Sequence, residues 1–305
     1  MQNADIYDEA TATVPPRPIS AGVVLRLLGR AIAGWWNDNL IRLGASVAYY
    51  TLFAIAPILL VAVGVAGAVF GAQAVRGEVA TQIDGLIGTA GAAAVEALIE
   101  GARLPKGNLM AVIVGGLTTM LAAAGVFLEL QFALNTIWGV TAPTGGMVRQ
   151  FLWNRAQSFG VVLSIGFLLL VSLAMSAGLA ALAGWLGGRL PGVPLLLQIA
   201  SWLISIASAA ALFGLLFKVL PDVALGYHDV AVGGIITALL FTAGQHVIGL
   251  YLGRSGVASS YGAVGSVAVL LLWVYYSAQI ILIGALFTRL YTEQRRAGRR
   301  RLNRA

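Results

Sequence analysis

Glu129 is the one acidic residue in the predicted helical run Gly125 to Trp138, near the inner interface, where Gln131 and Asn135 follow it. Ionisable side chains at membrane depth face a bundle interior or water far more often than lipid. Two roles fit. Glu129 reaches water or pairs with a basic neighbour such as Arg149 or Arg155, or it lines a cytoplasmic-side polar cavity with Gln131 and Asn135. Tyr49 and Tyr50 stand in another apolar run with Pro57, a residue that removes a backbone hydrogen bond and tends to kink a helix. Further along come Gln245 and His246, then Tyr275, Tyr276 and Gln279, with Tyr275 and Gln279 one helical turn apart. Interhelical hydrogen bonding accounts for all of these, and a substrate path is the sharper alternative. Trp273 falls mid-span, where its indole N–H is expected to find a partner.

Several chemistries are excluded. The chain has no cysteine, hence no disulfide and no thiolate metal site. Two histidines, His228 and His246, are too few for a histidine-rich metal site. The glycine-rich stretch Gly253 to Gly265 lacks the Gly-Lys-Ser/Thr ending of a phosphate-binding loop, so ATP-driven pumping by this chain is not expected. That stretch reads instead as a re-entrant turn at the outer face. A hydrolytic nuclease needs a metal cluster or an acid/base pair open to RNA, and no clustered carboxylates provide one.

The elements that must position these side chains are set by composition. Of the 305 residues, 59% are hydrophobic and 10% charged, and the mean hydropathy is +0.88. Soluble domains carry about 25% charged residues, so lipid must cover much of this surface. A membrane helix needs about 20 apolar residues. Six runs qualify, at 43–70, 108–127, 158–186, 195–217, 230–252 and 262–290. The expected fold is an all-α integral membrane protein with six transmembrane helices, an amphipathic N-terminal helix and an external amphipathic helical hairpin.

Residues 1–18, with Pro15, Pro16 and Pro18, read as a disordered tail, and 19–40 as a surface helix with Arg26 and Arg30 among Val23, Leu27 and Ile32. Residues 73–103 read as the hairpin, from Val75, Val79, Ile83 and Leu86 on one arm and Val95, Leu98 and Ile99 on the other. Gly67/Gly71 and Gly184/Gly188 have the spacing that lets helix backbones approach. Of the 19 basic residues, fourteen fall on the side that holds both termini, which makes that side cytoplasmic. The arginines of the 291–305 tail read as an anchor to anionic lipid rather than as a nucleic-acid patch.

Five segments carry a resemblance. Arg42 to Phe53 followed by Ala56–Pro57, Ala133 to Trp138, Phe217 to Asp222, Tyr261 to Ser266 and, most specifically, Leu272 to Ala285 resemble the YihY/BrkB family, in the right order over residues 20–293. The resemblance implies a bacterial inner-membrane protein of about six spans. It also implies that the older family label, ribonuclease BN, is a misassignment, and that a link to lipid or lipopolysaccharide transport is suggestive. The chain departs from the family pattern at Leu286, where a glutamate is typical, at Phe132, where an aspartate is common, and at Trp153, where a basic or polar residue is common. The loss of those polar groups weakens a cytoplasmic-side network, unless Leu286 simply faces lipid.

The expected function is movement or flipping of an amphipathic anionic substrate, a lipid foremost, with no catalysis and no cofactor. The substrate-facing candidates are Arg42, Tyr49, Tyr50, Glu129, Asn135, Arg155, Lys218, Tyr261, Tyr275 and Gln279. Basic members suit phosphate or carboxylate headgroups, and tyrosines supply amphipathic walls. The rival is a non-transporting scaffold of an envelope complex. Expected partners are membrane lipids and a second copy of the chain, not nucleic acid.

Overall fold

Long apolar helices make up the molecule in the computed structural model, which describes residues 21–70, 125–140, 193–255 and 257–302. Regular structure among the described residues is entirely helical. The helices are α1 (Ala21–Asn37), α2 (Leu40–Phe70), α3 (residues 125–138), α4 (Val193–Val219), α5 (Tyr227–Ser255) and α6 (Val257–Leu302). Among the described residues, three stretches are long and apolar enough to cross a membrane: Gln198–Val219, Tyr227–Leu250 and Val267–Gly298. Leu40–Ile55 is a shorter apolar stretch of α2. The run expected at 158–186, the hairpin at 73–103, the tail at 1–18 and most of the run at 108–127 lie outside the described residues.

One expectation is corrected along α6. The glycine-rich stretch is helical from Val257 onward and forms no re-entrant turn there. The basic tail is also helical as far as Leu302. Arginine, glutamine and leucine are good helix formers, and no proline interrupts the run.

Each helix boundary has a local cause. Asp38 N–H donates to Gly34 O at 2.8 Å, and Asn39 takes φ 55°, which ends α1 and turns the chain into α2. Asparagine is among the few residues that adopt this left-handed conformation readily. Helix α3 ends on Gly139 at φ 66°, with Val140 N–H donating to Asn135 O at 2.9 Å. That is the six-to-one bond of a glycine-terminated helix. Helix α5 opens with Asp229 in its first turn, where a carboxylate meets the positive end of the helix dipole.

Helix α4 packs chiefly on α5, α5 on α6, and both α1 and α2 on α6. The main core joins Leu27 and Ala31 of α1, Leu134 and Ile137 of α3, Phe213 and Phe217 of α4, and Leu282 and Phe287 of α6. Between lipid-solvated helices, close packing and hydrogen bonds hold the bundle, and small residues let backbones approach. Thr237 occupies the place a Cβ on Gly284 would take, and Thr288 does the same to Gly233. A Cβ on Gly234 would strike the backbone of Ala210 and Gly214 on α4. Leu286 is buried, 2.9 Å from where a Cβ on Gly34 would stand. It therefore faces α1 rather than lipid, which corrects that alternative.

Candidate functional site

Among the described residues, the polar side chains that bond between elements gather in three places. The first is the seam between α2 and α3. Arg42, Ser46, Tyr49, Tyr50 and Phe53 recur at the spacing of one helix face. Arg42, Tyr49, Tyr50 and Phe53 are exposed. Leu40, Val47, Ala48 and Ala54 are buried hydrophobic side chains among those described on the same helix. Tyr49 lies 5.0 Å from Phe53 and 5.7 Å from Tyr50, centroid to centroid. The Tyr50 ring runs over Gly125, where an added Cβ would be 3.0 Å from Cδ1. One turn along, Ser46 Oγ donates to Glu129 Oε1. Residue numbers fall on α2 as they rise on α3, so the two helices run antiparallel along this seam.

The second place is the end of the bundle where α3 and α4 stop and α5 starts. Asn135 Nδ2 donates to Asp222 Oδ2 at 2.7 Å, and Asp222 N–H donates back to Asn135 Oδ1 at 2.8 Å. Gln131 Nε2 lies 3.3 Å from both oxygens of the same carboxylate. Arg289 donates to Ile137 O at 2.5 Å and pairs with Glu293 at 2.7 Å. It thereby satisfies one of the orphan carbonyls at the end of α3. Asp229 is buried and accepts from Arg295 Nη1 at 2.7 Å. His228 stacks on Tyr291, with Nδ1 3.4 Å from the phenol oxygen. Lys218 Nζ donates to Leu225 O and lies 4.5 Å from the centre of the Tyr227 ring.

The third is the junction of α1, α2 and α6. Trp35 Nε1 donates to Gln279 Oε1 at 2.7 Å, and Gln279 Nε2 donates to Ile41 O at 3.1 Å. The amide fits only because position 44 is glycine, since a Cβ there would overlap it.

The structure thus brings Arg42, Tyr49, Tyr50 and Glu129 to one seam, and turns Asn135 of α3 and Lys218 of α4 to the loop between α4 and α5, where they bond Asp222 and Leu225. Glu129 does not join Gln131 and Asn135, because the residues lie on different faces of α3 and turn to different neighbours. Tyr275 packs with Ala48, Leu270 and Val274, and Gln279 is taken up by the third cluster. Arg155 and the Tyr261 side chain lie outside the described residues. Two further expectations are corrected. His246 bonds back to Thr242 O of its own helix at 2.8 Å rather than to a neighbour. The Trp273 indole N–H is buried without a hydrogen-bond partner among the described residues, of which its neighbours, Phe241 and the Leu270–Val274 cluster, are apolar.

Sequence reasoning missed Ser46, Asp222, Asp229, Arg289 and Arg295 as members of these clusters. Asp222 sits in the Pro221–Asp222 turn, and Asp229 occupies a helix-start position, so a signal existed for both. Nothing in the sequence pairs Arg295 with Asp229 across 66 positions.

Comparison with known proteins agrees with this architecture. The chain is 29% identical over 254 residues to a UPF0761 membrane protein of Pseudomonas aeruginosa, covering 82% of this chain and 58% of the relative. A UPF0761 membrane protein of Rhodospirillum centenum is 30% identical over 288 residues, covering 91% of this chain and 59% of the relative. A third, of Teredinibacter turnerae, is 29% identical over 266 residues, with 85% and 58% covered. This chain therefore spans less than three-fifths of the length of those relatives. No solved structure matches it. The family model described as virulence factor BrkB matches residues 31–305. With its long apolar helices and its all-helical fold, the chain is a multi-pass membrane protein and belongs to the BrkB family.

Proposed function

We propose that the chain moves or flips an amphipathic, phosphate- or carboxylate-bearing substrate of the lipid class at the bacterial inner membrane, with both termini cytoplasmic and without ATP hydrolysis or other catalysis of its own. The observation that carries this reading is the exposed face of α2. It presents a guanidinium at Arg42 and then, toward the apolar part of the helix, the rings of Tyr49, Tyr50 and Phe53. Arginine recognises phosphate and carboxylate oxygens through charge-assisted hydrogen bonds. Tyrosine is suited to a boundary that is wet at one end and apolar at the other. The alternation of cation and aromatic wall matches a headgroup followed by acyl chains.

Purified protein in vesicles with labelled phospholipids, anionic and zwitterionic, tests the proposal. Accelerated movement between leaflets, weakened in Arg42→Gln, is the expected result. Folded protein that moves none of this panel would overturn it. The scaffold reading has one observation in its favour: the polar groups Asp229/Arg295 and Asn135/Asp222 are spent on each other. A scaffold retains those pairs with no lipid movement at all.

A further inference from the structure

Glu129 is the feature of the α2–α3 seam that an anionic substrate does not explain. Its Oε1 accepts the Ser46 proton, and Oε2 has no partner among the described residues. No described cation pairs with it. Arg42 stands four residues before Ser46 on the same face, exposed, and it too is in no ion pair with a described residue. Four residues of helix rise about 6 Å. The seam therefore sets a guanidinium and a carboxylate, neither ion-paired among the described residues, about one turn apart, with the carboxylate on the side nearer the aromatic rings. A headgroup that is only negative satisfies Arg42 and meets repulsion at Glu129.

We infer that the seam recognises a phosphoethanolamine headgroup, with Arg42 on the phosphate and Glu129 on the ammonium. This rests on the lipid-handling reading above and narrows it to a phospholipid whose phosphate carries a primary amine. The ethylene spacer of that headgroup spans a step of the order of one helical turn. The ammonium has three N–H donors. One meets Glu129 Oε2, and the Tyr50 ring stands one turn from Ser46 along α2, packed over Gly125. A trimethylated amine has no N–H and forfeits the carboxylate bond. A glycerol headgroup brings no cation. The exposed rings of Tyr49 and Phe53, 59% and 61% accessible, commit the occupant to a lipid rather than a free headgroup. The other described charge close by, Asp38, lies in the turn before α2 and is exposed.

The experiment uses the full chain in detergent micelles doped with dioleoyl phosphatidylethanolamine, phosphatidylglycerol or phosphatidylcholine, and reads lipid retained per protein. A charge-assisted bond predicts about tenfold preference for the ethanolamine lipid over the other two. Glu129→Gln brings that ratio close to one, and Arg42→Gln weakens retention of all three. Equal retention of the three lipids by the wild-type chain overturns the inference without any variant, and so does a preference that survives Glu129→Gln. Soluble glycerophosphoethanolamine that competes as strongly as the lipid overturns the lipid assignment. Retention in micelles involves no crossing of a bilayer. An ethanolamine preference without movement in vesicles removes the transport reading and leaves this site, whereas movement without headgroup preference does the reverse.

Discussion

Thr237 of α5 and Thr288 of α6 are reciprocal. Each threonine lies over a glycine of the other helix, Thr237 over Gly284 and Thr288 over Gly233. Each turns its hydroxyl back to the carbonyl four residues before it, and that carbonyl belongs to the other glycine of the set: Thr237 to Gly233 O and Thr288 to Gly284 O, both at 2.7 Å. All four positions are buried. The arrangement brings two helices to close quarters with no unsatisfied hydroxyl, which is what packing in lipid demands.

Gly284→Val forces a side chain into the volume of Thr237. The expected cost is about 1–3 kcal/mol of overpacking, read as a lower unfolding temperature in detergent. Thr237→Ala in the same chain returns part of the loss. A valine variant as stable as wild type would show that the helices do not cross this closely.

Gln279→Leu keeps the volume of the side chain and strands the Trp35 N–H and the Ile41 carbonyl. Each loss costs about 1–3 kcal/mol when the group stays buried. Because α1 is held to α6 partly through this amide, the same variant should speed tryptic cleavage at Arg26 and Arg30, both exposed on α1. Unchanged cleavage would mean that the apolar contacts of Leu27 and Ala31 hold α1 without the amide.

The helices were legible because their signal is collective. Twenty apolar residues in a row overwhelm local detail, so the runs at 195–217 and 230–252 fall inside α4 and α5 with only the ends moved. The last helix outran its apolar stretch because the lipid boundary ends a span but not a helix, and Arg295 to Leu302 can stay helical in water. The polar clusters were harder to read. Sequence spacing placed Tyr275 and Gln279 on one face, yet the partners of Gln279, Trp35 and Ile41, are over two hundred positions away. Glu129 was grouped with Gln131 and Asn135 by nearness along the chain, whereas two residues on a helix turn through about 200° and face opposite neighbours. Leu286 against Gly34 shows the same limit, because which apolar side chain meets a neighbouring helix depends on rotations that no local pattern fixes.

Asn135 and Asp222 make two hydrogen bonds that tie α3 to the turn after α4. Asn135→Ala and Asp222→Ala should each cost about 1–2 kcal/mol, and the double variant should cost less than their sum, since residues in one network couple. Strict additivity in a double-mutant cycle would show that the two side chains act independently.

Asp229→Asn removes the counter-charge of Arg295. Removing one member of a buried pair costs about 3–5 kcal/mol. The Arg295 side chain is 22% exposed, so solvent screening reduces that to about 1–3 kcal/mol. Replacing both members with leucine should be milder than Asp229→Asn alone, because no charge is then left inside. The comparison is read by thermal unfolding of the three variants in one detergent, and a double variant worse than the single one would show that the pair contributes net stability.

Trp35 and Trp273 offer a controlled contrast, because the same substitution removes a satisfied donor at one site and an orphaned donor at the other. The Trp35 N–H is bonded to Gln279, while the Trp273 N–H is buried with no partner among the described residues and its ring stands edge-on to Phe241 at 6.2 Å. Tryptophan to phenylalanine deletes the N–H and part of the ring, so both variants lose packing. At position 35 the change also strands the Gln279 carbonyl oxygen, an added cost of about 1–3 kcal/mol. At position 273 nothing is stranded, and relief of the orphaned donor, of similar size, offsets the lost contacts. Trp273→Phe should therefore unfold within a few degrees of wild type, and Trp35→Phe should unfold clearly lower. Equal losses at the two positions would mean that the Trp273 indole N–H is hydrogen-bonded in the folded protein after all.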